Sequence, residues 1–312
     1  MGEFEFIEGI RRAFGDNGRG DIIFGIGDDC AVLPAPDGDA FVVTTDMLVE
    51  GVHFLRDSTT ARELGAKALA VNLSDVAAMG ARPMASFLSI ALPTECRGEW
   101  AAEFMDGYRE LSAQHEVTLA GGDTTSSLSG VAVNVCVIGR TAAERLKFRS
   151  GARAGDIVVV CGPLGESAAG LRDILDGRPD TPLARIHRNP TPQVAEGEWL
   201  GGRPEVHSMI DLSDGLASDL MHILRASKVR AEIELSAIPT PVSVELAVTG
   251  GEDYKLLFTA APDDFARLAE NYLARFGSPL HAVGRIVNGP TEIVWIENGT
   301  PVTKEWRGFT HF

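Results

Sequence analysis

Six short segments of this chain end in acid flanked by Gly, Ser or Thr, each after an apolar run: "GIGDD" (Asp28, Asp29), "VVTTD" (Asp46), "AVNLSD" (Asp75), "LAGGD" (Asp123), "MIDLSD" (Asp211, Asp214) and "VTGGED" (Glu252, Asp253). Singly, such acids are ordinary punctuation, because turns favour Asp and helices are capped by Asp or Ser. Together they point to one chemistry. Ends of neighbouring strands gather at one edge of a sheet, where α/β proteins place their ligands. Two like charges about 4 Å apart repel by roughly 4 kcal/mol at the effective dielectric near a protein surface, so converging acids require a counter-charge. Hard divalent cations supply it: Mg²⁺ takes oxygen ligands and is usually held by one or two carboxylates together with substrate phosphates. On that reading "VTLAGGDTTSS" is coherent. Bare backbone at Gly121 and Gly122 admits a phosphate, and a metal between that phosphate and Asp123 turns repulsion into attraction.

The elements that must position these acids follow from periodicity. "ARELGAKALAVNLSDVAAMGARP" reads as a helix from about Arg62 that stops at Gly80 and Pro83; Asn72 and Asp75, three apart, share one of its faces. "GEWAAEFMDGYRELSAQHEV" is a second helix, with Trp100, Phe104, Tyr108 and Leu111 as a buried stripe. Strand candidates before residue 140 are "DIIFGIG", "AFVVTTD", "MASFLSIAL" and "GVAVNVCVIG". The polar, Gly-punctuated stretch "GRTAAERLKFRSGARAGD" is the expected joint, dividing residues 1–146 from 147–312. Beyond it, strands are expected around "DIVVVCG", "AEIEL", "YKLLFT" and "HAVGRIV", with "TEIVWIENGTPVT" as a hairpin turning at Asn298-Gly299. Strands alternating with amphipathic helices make an α/β or α+β protein of two domains. "VVVCGPLGESAAGL" has the look of an anion-binding turn without the full pattern of one, so Gly165 also fits a pure packing role. His53 in "EGVHF" is the kind of histidine more often structural than ligating, and Arg149 in "KFRSG" suits a phosphate clamp or open solvent. "PDGDAF" reads as a turn, since the remaining ligands of a calcium loop are missing.

Composition narrows the function classes. The 312 residues carry 28 Lys and Arg against 44 Asp and Glu, a formal net charge of −16, which disfavours nucleic acid and anionic membranes as partners. No run approaches about 18 apolar residues and the amino terminus is acidic and amphipathic, so the expectation is a cytoplasmic protein. The four cysteines, Cys30, Cys96, Cys136 and Cys161, contain no CxxC pair and fit buried thiols.

"GIGDDCAVL", "TTDMLVEGVHF", "KALAVNLSDVAAMGARP", "GGDTT", "DLSDGLASDL" and "TGGEDYKLLFT", in this order, closely resemble the thiamine-monophosphate kinases of the aminoimidazole-ribonucleotide-synthetase-like superfamily, from "GEF" to the terminal "WRGFTHF". The resemblance implies ATP-dependent phosphorylation of thiamine phosphate to thiamine diphosphate, two α/β domains with mixed sheets, and a homodimer whose amino-terminal sheets join. It places several Mg²⁺ ions on Asp29, Thr44, Thr45, Asp46, Asp75, Asp123, Asp211 and Asp214, and the nucleotide on Gly121, Gly122, Arg149 and Ser213. Thiamine phosphate falls to His53, Glu252 and Trp306, where a carboxylate and an aromatic face suit a thiazolium cation. The family's nucleotide-side tyrosine falls at Met105, with Tyr108 three residues on. A phosphate monoester is already largely deprotonated near neutral pH, so no general base is assigned. Sibling activities that need a reactive Cys near an amino-terminal glycine-rich loop or at the extreme carboxyl end fit less well, because Cys30 follows the acid pair and the chain ends "GFTHF". A nucleotide-binding scaffold without transfer is the rival of another class.

Overall fold

The computed structural model describes residues 2–14, 22–306 and 308–309. After the helix α1 (Glu3–Phe14), the first half builds one sheet and two helices: β1 (Ala31–Pro34), β2 (Asp39–Val49), α2 (Ala61–Ala78), β3 (Arg82–Leu92), α3 (Glu99–Gln114), β4 (Thr118–Ser126) and β5 (Ala132–Ala142). The strands run in the order β1-β2-β5-β3-β4, with β3 and β4 parallel and the other pairs antiparallel. Along β2 and β5 every second residue is buried, the pattern of a sheet covered on one face only. Val32, Val42, Val133, Val135 and Val137 form that covered face, packed with Leu69, Leu73 and Val76 of α2. The stretch "DIIFGIG" is not a strand. Its Asp21 lies outside the described residues, and from Ile22 onward it contributes one bridge, Phe24 to Val32, with Ile22, Ile23 and Ile26 exposed.

α2 is the spine of the molecule. Thr60 caps it with a reciprocal box, its Oγ1 accepting the Glu63 N–H at 3.2 Å while Glu63 Oε2 accepts the Thr60 N–H at 2.9 Å. Most of its residues are buried around the whole circumference, which is the composition of a helix with no solvent face. It touches β2, β3 and β5 on one side, α3 on another and, in the second domain, the α5, α6 and β7 elements described below. The α2–α3 crossing is so close that a Cβ at Gly65 would stand 1.9 Å from the Phe104 carbonyl oxygen, and one at Gly107 1.9 Å from that of Arg62. Gly107→Ala is therefore expected to lose about 2–3 kcal/mol through overpacking. Thermal denaturation would register this as roughly 5–10 °C in Tm.

The second sheet takes seven strands from β6 (Ile157–Val160), β7 (Val206–Asp211), β8 (Arg230–Glu234), β9 (Leu256–Ala260), β10 (His281–Val287), β11 (Ile293–Glu297) and β12 (Thr300–Val302), ordered β12-β11-β8-β10-β6-β9-β7. The hairpin between β11 and β12 turns at Asn298 (φ 52°) and Gly299 (φ 74°), as an Asn-Gly turn should. Six helices accompany this sheet: α4 (Glu166–Leu175), α5 (Pro182–Arg188), α6 (Val194–Gly201), α7 (Leu216–Ser227), α8 (Val244–Thr249) and α9 (Pro262–Phe276). Gly165 caps α4 with φ 86°, and a Cβ there would stand 2.7 Å from the Ala247 backbone nitrogen, so its role is packing. Cys30, Cys96 and Cys161 are buried thiols, whereas Cys136 is only half-buried because it faces the uncovered side of the first sheet.

Candidate active site between the two sheets

The acids arrive from three directions. Asp28 and Asp29 precede β1, Asp46 lies on the covered face of β2, Asp75 sits near the C-terminal end of α2, and Asp211 ends β7. One carboxylate oxygen each from Asp29, Asp75 and Asp211 lies within 4.8 Å of the others. Hydroxyls orient the group: Thr44 Oγ1 donates to Asp75 Oδ2 at 2.5 Å, and Ser74 Oγ donates to Asp211 Oδ2 at 2.5 Å. The Asn72 side-chain oxygen accepts the Asp46 N–H at 3.1 Å, which ties β2 to the helix that carries Asp75.

The electrostatics are strained in one direction. Burial, joined by the charge of Asp29, pushes Asp28 up to about 7 and Asp46 up to about 6. Burial and the neighbouring Asp29 push Asp211 up to about 8, and burial with Asp46 and Asp211 raises Asp75 well above the carboxylate range. One fixed cation faces them. Arg149 Nη2 lies 2.5 Å from Asp29 Oδ1, and the Arg149 N–H donates to Asp28 Oδ2 at 3.0 Å, so this arginine is committed to acids. Asp29 Oδ2 is buried with no hydrogen-bond partner among the described residues. An all-oxygen donor set, excess negative charge and an orphaned carboxylate oxygen together fit a hard divalent cation.

Around Asp214 the "DLSDGL" turn is pinned by Asp219, whose Oδ2 accepts the Asp214 and Gly215 N–H groups at 3.1 and 3.0 Å. Ser213 offers its carbonyl to the Glu252 N–H at 2.7 Å, joining that turn to the "TGGED" loop. Gly251 is bare because a Cβ would stand 2.4 Å from the Ser213 carbonyl oxygen. Glu252 (φ 63°) and Tyr254 (φ 48°) both occupy the left-handed region, an arrangement maintained only where surroundings over-determine it.

These parts open onto one cleft of about 740 Å³ between the two sheets. Asp46, Asp75, Ser213 and Asp214 line it, and so do His53, Glu252, Lys67 and His187. His53 Nδ1 accepts the Val49 N–H at 3.0 Å, which puts the proton of the neutral ring on Nε2. Lys67 and His187 are polar cleft residues that motif reasoning missed. Lys67 is 1% exposed and reads in the sequence as one more helix former, and nothing around His187 in "LARIHRN" marks it.

The remaining residues lie elsewhere. Thr45 faces the uncovered side of the sheet, where its Oγ1 accepts from Asn134 Nδ2 at 2.8 Å. Asp123 stands on that same side, in a register row with Ser89, Asn134 and Met47, three strand spacings from β2 or about 14 Å. Gly122 is bare because a Cβ would stand 1.8 Å from the Leu88 carbonyl oxygen, and Gly121 lies against Phe87. The whole of β4 is exposed. Trp306 packs against Trp295 of β11, ring centroids 5.2 Å apart, with Lys304 Nζ 5.3 Å from its own ring. Met105 is 37% exposed, while Tyr108 is buried in the first core, so its ring has no face for a ligand.

Two sheets of this order, joined through α2 with acids at their junction, define the AIR synthase related proteins. Residues 27–141 match the model of the N-terminal domain of that class and residues 153–297 that of its C-terminal domain. The chain is 37% identical to the thiamine-monophosphate kinase of Escherichia coli (strain K12), over 94% of this chain and 93% of that protein. It is 37% identical to that of Haemophilus influenzae, over 100% of this chain and 98% of the relative. Among solved structures, AaThiL complexed with AMPPCP and TMP superposes with a TM-score of 0.85 at 30% identity, covering 100% of this chain and 97% of that one. The chain belongs to the thiamine-monophosphate kinase family. No helix among the described residues is long and apolar enough to cross a membrane.

Proposed function

We propose that this protein transfers the γ-phosphoryl group of ATP to thiamine phosphate, giving thiamine diphosphate and ADP. The observation that carries this reading is the continuity of the cleft: Asp46, Asp75 and Asp214 line the same space as His53 and Glu252. Acid-held charge and a carboxylate for a cationic ring in one cleft would let a phosphate donor and thiamine phosphate meet there. Support also comes from the relatives' names and from the neighbour complexed with AMPPCP and TMP.

Both reactants are anions, so the obstacle is their approach, and the chain's contribution is alignment and charge. Asp29, Asp46, Asp75 and Asp211 would hold Mg²⁺, oriented by Thr44 and Ser74, with Asp214 at the cleft wall. Bound there, divalent cations neutralise phosphate charge and polarise the transferred group. Arg149 fixes Asp28 and Asp29 and keeps a positive group behind them. A thiamine phosphate oxygen attacks the γ-phosphorus in line as the bond to the ADP oxygen breaks. The attacking monoester is already largely ionised near neutral pH, so no residue is assigned as general base. Glu252, with His53 lining the same cleft, receives the substrate's cationic end.

A second copy of the chain completes the reading. β4 is a fully exposed edge strand, and Met47, Met84 and Phe87 are exposed on or beside the uncovered face. Such an edge and face call for a partner. Joining two first-domain sheets there makes the homodimer and brings Gly121, Gly122 and Asp123 into a shared site.

The test is direct. Protein, ATP, Mg²⁺ and thiamine phosphate are expected to yield thiamine diphosphate with one ADP per product. Either no product, which would favour a nucleotide-binding scaffold, or ADP release independent of thiamine phosphate, which would mark an ATPase, would overturn the assignment.

A further inference from the structure

Polar contacts tie the α2 spine to the second domain at Glu63, Lys67 and Ser74. Glu63 Oε1 accepts from Arg188 Nε at 3.0 Å, Lys67 Nζ donates to Glu252 Oε2 at 2.9 Å, and Ser74 donates to Asp211. A buried ion pair adds little net stability, so the middle contact needs a reason beyond holding the domains together. The middle contact is the unusual one, because Lys67 is 1% exposed while its partner is 22% exposed and lines the cleft. Lys67 also lines that cleft, but its side chain is almost wholly buried.

His187 completes the arrangement. Its Nδ1 lies 3.2 Å from Glu252 Oε2 and 3.0 Å from Ser167 Oγ. Burial and the adjacent Lys67 push His187 down to about 4, leaving the ring neutral. Lys67 donates to Oε2, His187 Nδ1 lies beside that oxygen, and Oε1 makes no hydrogen bond among the described residues. Burial by itself would raise Glu252, yet Lys67 and then His187 and His53 hold it below the usual carboxylate range. With the left-handed backbone at Glu252, this amounts to a carboxylate held in one orientation.

We propose that Lys67 is a positioning residue for the thiamine phosphate site: by binding Oε2 it keeps Glu252 ionised and turns Oε1 toward the cleft to receive the substrate's cationic ring. The inference rests on the kinase reading above. It makes Lys67 a determinant of selectivity for a positively charged ring, although it is itself a cation. An unpaired buried carboxylate would take up a proton and lose its attraction for that ring.

The experiment compares thiamine phosphate with an isosteric phosphate whose thiazolium is replaced by a neutral ring, binding of each being measured by calorimetry on wild type, Lys67→Met, Lys67→Arg and Glu252→Gln. Lys67→Met is expected to weaken thiamine phosphate by about tenfold, the loss of one charge-assisted contact, and the neutral analogue by less than about twofold. KM for ATP stays within about twofold, Lys67→Arg recovers most of the affinity, and Lys67→Met/Glu252→Gln is no worse than Glu252→Gln alone. Equal weakening of both ligands, additive losses in the double variant, or unchanged binding would each overturn the proposal while leaving the kinase reading intact. Wild type that binds neither ligand overturns both. Should Lys67→Met not fold, Lys67→Arg against Glu252→Gln decides: selective loss of the cationic ligand in Glu252→Gln with retention in Lys67→Arg supports it, and equal loss in both refutes it.

Discussion

Asp75→Asn is expected to lower kcat by at least about 100-fold, because replacing even the outer partners of metal ligands costs 10–100-fold in affinity or activity and this residue stands at the centre of the acid group. The same substitution is expected to stabilise the metal-free fold. Asp75 is raised first by burial and then by Asp46, Asp211 and Asp29, so an amide there removes several repulsions at once while keeping an acceptor for Thr44. Two charges about 4 Å apart repel by roughly 4 kcal/mol near a protein surface, which makes even partial relief visible in a melting curve. The pH dependence has a definite sign. A carboxyl raised on folding binds its proton more tightly in the native state, so stability is greatest below the unfolded value and falls as pH rises through the folded one. For Asp46, Asp28 and Asp211 that window runs from 3.8, the ordinary value, to about 8. Wild type stripped with a chelator is therefore expected to melt at lower temperature at pH 8 than at pH 5. Mg²⁺ should restore the loss, and Asp75→Asn should flatten the dependence. A chelated wild type equally stable at both values, unmoved by Mg²⁺, would contradict the view that these acids share one counter-charge.

How much of this was legible beforehand depended on how local the cause was. Asp29, Asp75 and Asp211 announced themselves because each acid follows an apolar run, and strand ends converge by topology. α2 was legible to within a residue or two at each end, since capping and the Gly80 stop are written in adjacent residues. "DIIFGIG" misled because β-branched residues mark a strand only if a neighbour pairs with them, and here Val32 pairs with Phe24 alone. Lys67 was illegible for a different reason. Its partner is 185 positions away, and a lysine on a helix is ordinarily solvated until the fold shows it 1% exposed. Arg149 fitted either clamp or solvent on sequence, and only the approach of Asp28 and Asp29 across the domain joint distinguishes its position. Trp306 was joined to His53 and Glu252 by resemblance, whereas its ring packs on Trp295, a contact set by strand placement that no local pattern encodes.

Asp123→Asn is expected to lose most of its turnover although Asp123 stands apart from the acids of its own chain, and mixing two inactive variants is expected to restore part of the activity. Asp123 sits on the uncovered side of the first sheet at the exposed edge strand, while Asp75 lies on the covered side. No side chain reaches across a sheet and three strand spacings, about 14 Å. If Asp123 serves the phosphoryl site, the Asp75 it serves belongs to the second copy. A dimer then holds two sites, each with Asp75 from one protomer and Asp123 from the other. When Asp75→Asn and Asp123→Asn chains are unfolded together and refolded, half the dimers are mixed. In each of these, one site collects both substitutions and the other neither, so about a quarter of wild-type turnover should return. Such recovery cannot arise if both acids act within one chain, because every site would then carry one substitution. Mixed dimers as inactive as their parents, in a preparation shown by size to be dimeric, would return Asp123 to a role confined to its own strand. A wild-type rate in Asp123→Asn alone would remove it from the site altogether. Recovery in the mixed dimers would make oligomeric state part of the chemistry: an edge strand left bare by one chain would gain both its covering and its function from the next.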